Sequence, residues 1–301
     1  MKKRLFAVFF ICAILLVGLV SAGLLDSIKN ALTGKATSQP TNVSVNVVGT
    51  SAVNVSVDNS TLTGGVTPIE SSSSVVVTYV TVCDPDGVND VNDSATDVVF
   101  NGPSAETRNG NCSLVGDIDA YCANFTCSAE MWYWDAAGAW VINASGSDLG
   151  NATNIYNDSY NFTYNQLKAL TISPDWLNWT ALTPGGSNVG ADNDPTEVNN
   201  TGNYDGTIDI TGYDLYGVTV TSENFDVANF TADETDGACG AGTALVNASV
   251  QTIAGTDSNP GNLSLGGGAG QEQVYYCIPT VPSVSSQQYT TDISGSWIVA
   301  Y

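Results

Sequence analysis

Acidic side chains recur at close spacing at two places in this sequence. Asp84-Pro85-Asp86-Gly87-Val88-Asn89-Asp90 has the form D-x-D-G-x-x-D, and Asn203-Tyr204-Asp205-Gly206-Thr207-Ile208-Asp209 repeats it with Asn in first place. Calcium takes roughly six to eight oxygen ligands, and alternating carboxylates around a glycine turn supply several of them at one point. Neither stretch is an EF-hand, because the glutamate that closes that loop is missing. The competing reading of both is an Asx/Gly turn in an acidic surface. Calcium is the one cofactor the sequence points to.

Other chemistry has less to stand on. The chain contains no histidine, which removes Ser-His-Asp and Cys-His catalysis and every histidine metal site. Paired carboxylates can hydrolyse glycosides. Among 30 acidic residues such pairs arise by chance, and no nucleophile–base pair is visible, so the expectation is a protein that is not an enzyme. The glycine-rich stretches match neither a P-loop nor G-x-G-x-x-G. Trp132-Tyr133-Trp134 has two readings, outward indoles that stack on sugar rings and aromatics packed in a core or interface. Against 30 acidic residues stand 7 basic ones, for a net charge of −23. A nucleic-acid-binding surface needs clustered Lys and Arg and is excluded.

The elements that would position these residues are strands. From about residue 41 onward, short β-branched runs alternate with Gly, Asn, Asp, Ser and Pro clusters over the 301-residue chain, which is long enough for two domains. Ahead of them, Lys2-Lys3-Arg4, an apolar stretch from Leu5 to Val20 and Ser21-Ala22 form a secretory leader cleaved after Ala22. The alternative is an uncleaved anchor, since Leu5 to Leu25 carries no charge and is long enough to span a bilayer. The membrane would then be met only through this N-terminal segment. Residues 23–40 read as a short amphipathic helix and a linker, 41–165 as one β-sandwich and 166–301 as a second. The expected fold class is all-β, two tandem sandwiches after an N-terminal signal or anchor helix.

Six cysteines follow the leader: Cys83, Cys112, Cys122, Cys127, Cys239 and Cys277. An even number behind a leader reads as three disulfides in an extracellular protein. Cys239 and Cys277 are alone in the second half and should pair. Among the three connectivities open to the first half, Cys83–Cys122 with Cys112–Cys127 is preferred, on the inward phase of Cys127. That pairing brings Asp84 and Asp86 towards Asp117 and Asp119, with little basic charge nearby to offset them.

The sequence also holds 15 N-x-[ST] sequons. From 28 Asn and 60 Ser or Thr in 301 residues, chance gives between five and six. The excess argues for N-glycosylation, and a glycosylated Asn must face solvent. In five expected strands the sequon occupies the polar phase, at Asn42, Asn54, Asn143, Asn161 and Asn247. The opposite phase then faces inward: Val43, Val45 and Val47; Val53, Val55 and Val57; Trp140, Ile142 and Ala144; Tyr160, Phe162 and Tyr164; Val246, Ala248 and Val250.

The stretch Gly138-Ala139-Trp140-Val141-Ile142-Asn143-Ala144-Ser145-Gly146-Ser147-Asp148-Leu149-Gly150-Asn151 resembles a signature of the Ig-like modules of prokaryotic surface proteins. There a glycine starts the strand, an aromatic and alternating aliphatics enter the core, and Asp and Gly-Asn make the last turn. Asp84-Pro85-Asp86-Gly87 resembles the acidic turn after an early strand of such domains. Here the spacing from Asp148 to Gly150-Asn151 is one residue shorter than usual, and the antibody-type Cys…Trp…Cys spacing is absent. The resemblance covers roughly residues 41–165. It implies a secreted archaeal cell-surface protein with Ig-like sandwiches and carries no activity. Such a protein would work as part of a coat, a filament or an adhesive surface, with other surface proteins or glycans as partners. The alternative is a carbohydrate-binding module using Trp132 and Trp134. A filament subunit that exchanges strands would need an unpaired strand at Val43–Val47.

Overall fold

The computed structural model describes residues 43–45, 47, 49, 51–152, 155–265, 269–292 and 294–301, and only the backbone of 155–159. The leader at 1–22, the helix and linker at 23–40 and the sequon at Asn42 lie outside the described residues. Among those described, the protein is all-β, and its helices are 3-10 turns of three residues. No described helix is long and apolar enough to cross a membrane.

Seven strands form the first sheet: β1 (Asn54–Asp58), β2 (Ser73–Cys83), β3 (Asp97–Asn101), β4 (Thr107–Asp117), β5 (Cys122–Trp132), β6 (Gly138–Gly146) and β7 (Ile155–Tyr164). Their order is β1-β2-β5-β4-β3-β6-β7, antiparallel throughout. The sheet curls until its ends meet. Val66, beyond β1, bridges Tyr164 in parallel, with Val66 N–H on the Thr163 carbonyl at 2.8 Å and Asn165 N–H on the Val66 carbonyl at 2.7 Å.

Alternation fills the enclosed face. Val53, Val55 and Val57 are buried, as are Trp140, Ile142 and Ala144, and Phe162 and Tyr164. Phe100 meets Phe162 edge-on at 5.4 Å, and Trp140 meets Tyr164 at 6.3 Å. Each buried polar tip finds an acceptor, as such tips must: the Trp140 indole N–H donates to the Ala136 carbonyl and the Tyr164 hydroxyl to that of Trp132. β2, flanked by β1 and β5, buries Val76, Thr78, Val80 and Val82 on one face, while its other phase is half-buried and Val75 is exposed.

Beyond Tyr164 the strands shorten: β8 (Leu170–Ser173), β9 (Ser187–Gly190), β10 (Thr196–Asn200), β11 (Asp209–Thr211), β12 (Leu215–Gly217), β13 (Asn224–Phe225), β14 (Thr231–Asp233), β15 (Thr243–Ala244), β16 (Val250–Thr252), β17 (Gln271–Thr280), β18 (Tyr289–Thr290) and β19 (Ile298–Ala300). One sheet runs β15-β14-β17-β10-β8 with β9 also on β17, and two smaller ones run β16-β11-β19 and β13-β12-β18. Their core gathers Val198, Ile210, Phe230, Leu245 and Tyr276, with Trp179 and Trp297 packed against Phe230 at 5.1 and 5.2 Å. The two hydrophobic cores divide between Tyr164 and Leu170, yet residues 48–301 form one compact unit.

Two expected strands are corrected. Val43, Val45 and Val47 are not in a strand and are 78%, 76% and 84% exposed, so they do not face a core. Their alternation of valine and polar residues sets a phase but supplies no partner strand. Between Thr243 and Thr252 the chain turns instead of running straight. Ala248 has φ 56°, Ser249 N–H reaches the Val246 carbonyl, and Leu245 is buried while Val246 and Val250 are 49% and 59% exposed.

Candidate metal centre

All six cysteines among the described residues are cross-linked, as Cys83–Cys122, Cys112–Cys127 and Cys239–Cys277. In the first sheet the partners sit directly opposite each other in the ladder. Disulfides persist in an oxidising compartment, so the chain belongs in one.

The Cys83–Cys122 bridge fixes where β2 ends. Beyond it the chain leaves the sheet through Asp84-Pro85-Asp86 and turns at Gly87, whose φ of 124° favours a residue without Cβ. A 3-10 turn over Val88–Asp90 follows. Val91 then bridges Asp148 at the end of β6, Leu149 N–H reaches the Asp90 carbonyl at 2.7 Å, and Asn92 N–H reaches that of Ser147 at 2.9 Å. Two loops far apart in sequence are thus zipped together, and Asp84, Asp90 and Asp148 meet.

One carboxylate oxygen from each of the three lies within 4.8 Å of the others. Their residues are 0%, 6% and 0% exposed. Each acid gives one oxygen to a main-chain amide: Asp84 Oδ1 accepts from Asp86 N–H at 2.7 Å, Asp148 Oδ1 from Ala152 N–H at 2.6 Å, and Asp90 Oδ2 from Gly49 N–H. The remaining oxygens, Asp84 Oδ2, Asp90 Oδ1 and Asp148 Oδ2, are buried and accept nothing. Burial, opposed by the Asp86 amide and reinforced by the neighbouring acids, pushes the Asp84 carboxyl above its ordinary range. No cation offsets the cluster: Arg108 is spent on Asp135 and Lys168 lies over the Tyr204 ring at 4.0 Å, and these are the basic residues among those described.

The expected acidic site is therefore partly assembled and partly replaced. Asp84 and Asp90 belong to it. Asp86 is exposed and accepts the Ser51 amide at 3.2 Å. Asp117 is exposed, and Asp119 caps its own turn through the amides of Tyr121 and Cys122. Asp148, which completes the triad, was readable only as part of a turn, because its partnership with Val91 spans two loops that no spacing rule connects.

The structure does not bring the residues of the second acidic stretch together into a cluster of three acids among the described residues. Asn203 is buried and fully engaged: its Oδ1 accepts from Leu167 N–H at 2.6 Å, and its Nδ2 donates to the carbonyls of Asp135 and Asn165, each at 3.1 Å. Asp205 faces Asp257, and burial with that neighbour raises its carboxyl. Asp209 accepts from the Thr252 hydroxyl. The aromatic stretch splits as alternation predicts, with Tyr133 buried and Trp132 and Trp134 half-buried. The two indoles stack on each other at 4.8 Å and 13°.

No protein-family model, curated protein or solved structure matches this chain.

Proposed function

We propose that this chain is a non-enzymatic, N-glycosylated surface protein of an archaeal envelope, serving in a coat, a filament or an adhesive contact. The observation that carries the reading is that every cysteine after the leader is consumed in a disulfide. Supporting it, the sequon asparagines Asn54 and Asn161 stand exposed on β1 and β7, the two end strands of the first sheet. Asn143 is half-buried with its Oδ1 enclosed and unpaired, and Asn247 is held by Asp214 through both side-chain atoms, so Asn54 and Asn161 are the favoured glycan carriers. The order of the first sheet also equals the Ig succession of four strands, A-B-E-D, followed by three, C-F-G, joined here by hydrogen bonds between β4 and β3. That supports an Ig-like reading of the first half. The short strands of the second half make a companion β-module of a different pattern. A carbohydrate-binding role for Trp132 and Trp134 has less support, since each indole already covers a face of the other.

The test is the intact mass of native protein from its own cells, with negative-stain imaging of the same sample. Glycan mass mapping to Asn54 or Asn161, on assemblies or cell surfaces, is the expected result. A bare polypeptide mass together with a soluble, dispersed monomer overturns the reading.

A further inference from the structure

We propose that Asp84, Asp90 and Asp148 bind one calcium ion, and that this ion fastens Gly49 and Ser51 to the loop end of the first sheet.

Two independent observations converge. The first is the cluster itself, three carboxylates held by backbone from two zipped loops. The second is that each acid keeps one oxygen buried and without a donor. Buried polar atoms are almost always satisfied, so three unpartnered acceptors on acids whose oxygens gather within 4.8 Å call for a positive partner. Three buried carboxylates without a cation are also costly in themselves, at several kcal/mol each in order of magnitude. The donors are all hard oxygens, which selects calcium or magnesium over zinc, copper or iron. Calcium accepts irregular oxygen sets, whereas magnesium demands near-octahedral geometry and keeps its waters. The choice of calcium also rests on the extracytoplasmic reading above; the existence of a divalent site does not.

The role follows from what lies over the triad. Gly49 N–H donates to Asp90, and Ser51 N–H to Asp86, whose own amide holds Asp84. Gly49 passes so close that a Cβ there would collide with the Asp86 carboxylate, and a Cβ on Gly150 would fall 2.7 Å from the Gly49 carbonyl. Repulsion among uncompensated acids would push apart the loops at 84–90 and 148–150 between which this segment lies. A bound dication turns the same three charges into a clamp.

The experiment uses the full chain, stripped with chelator and titrated calorimetrically with calcium chloride, magnesium chloride or sodium chloride at matched ionic strength. One calcium per chain is expected, with Kd of about 10⁻⁴–10⁻³ M as in other extracellular modules. Asp148→Asn should weaken binding at least tenfold, while Asp97→Asn, at an exposed position on β3, leaves it unchanged. Hydrogen exchange on the unmutated protein needs no variant: the amides of Gly49 and Ser51 should exchange more slowly with calcium than with sodium. No calcium uptake at ~10 mM, well above the weakest such modules, overturns the site, as does equal binding by Asp148→Asn. Equal affinity for magnesium overturns the choice of ion, and unchanged exchange at Gly49 and Ser51 overturns the clamp. The glycan mass of the same preparation reports separately on the surface-protein reading.

Discussion

The side-chain amide of Asn203 donates to the main-chain carbonyl of Asp135, 68 residues earlier in the chain. With its bonds to Leu167 and Asn165, Asn203 ties the start of the second half to both the turn after β5 and the connection after β7. Glu70 adds a second tie by accepting from the Thr201 hydroxyl at 2.7 Å, while Ser71 N–H reaches the Thr201 carbonyl. The turn at 200–203 is thus a bracket between two cores, and its polar sequence serves packing.

Asn203→Ala would leave one amide and two carbonyls without their partner in a buried place. Each such group costs about 1–3 kcal/mol, reduced where water can enter. The expected loss is roughly 2–4 kcal/mol, read as a lower denaturant midpoint, with Asn203→Asp intermediate because it keeps the acceptor for Leu167. A midpoint within error of the parent would mean that the bracket holds nothing.

Asp135 is fully buried and paired with Arg108 through both carboxylate oxygens; Asp135 Oδ2 also accepts the Trp132 amide. Hydrogen bonding to Asp135 raises the Arg108 pKa, so the guanidinium stays charged at any working pH. Arg108→Met would strand the carboxylate and should cost about 3–5 kcal/mol. Arg108→Lys should recover only part of that, because an ammonium cannot match both oxygens as the planar fork does. Thermal melts of the three proteins in one buffer measure it.

What the sequence disclosed and what it hid have a common cause. Alternation placed Val55, Val57, Trp140 and Ile142 correctly because each lies on a paired strand, and Val53 because it continues the phase of β1. The same alternation misled at Val43, Val45 and Val47, which lie in no strand, and at Val246–Val250, where a turn at Ala248 breaks the phase before β16 begins. The disulfides followed from phase and position, and Asp84 and Asp90 from local spacing. Asp148 and the bracket role of Asn203 did not, because both depend on a loop from elsewhere in the chain arriving opposite them.

Asp194 supplies a pH dependence. It is half-buried beside the Cys239–Cys277 bridge, in a cavity of about 170 Å³ lined also by Asp233 and Asp236. Burial pushes its carboxyl up to about 6, against the opposing pull of the Tyr276 and Ala191 amides and with help from Asp236. The folded protein therefore holds a proton there that the unfolded chain has released above its ordinary value of 3.8. This contribution is complete below about pH 4 and is lost as pH rises through about 6, on the order of 2 kcal/mol at most. Asp194→Asn keeps an acceptor for the two amides and removes the proton. The difference in stability between parent and variant should therefore grow from pH 4 to pH 6.5 in favour of the variant, and a constant difference across that range would refute the shift.

The disulfides can be separated by what lies next to them. The Cys83–Cys122 loop spans 39 residues and the Cys112–Cys127 loop 15. Loop-closure entropy assigns them about 4 and about 3 kcal/mol respectively. On stability alone, replacing either pair by alanine should look similar. Metal binding should tell them apart. Cys83 immediately precedes Asp84, and Cys122 is preceded by the turn whose Tyr121 and Ala120 carbonyls hold Asp84 N–H and Val88 N–H at 2.8 Å. Loosening that bridge frees the loop that carries two of the three acids. Cys112–Cys127 lies further along the β4–β5 ladder and touches no part of the triad. The Cys83→Ala/Cys122→Ala protein should therefore lose calcium affinity several-fold, and the Cys112→Ala/Cys127→Ala protein should keep it at a temperature where both remain folded. Equal affinity in the two double variants would show that the triad is positioned by the Val91–Asp148 bridge alone, without help from the cross-link.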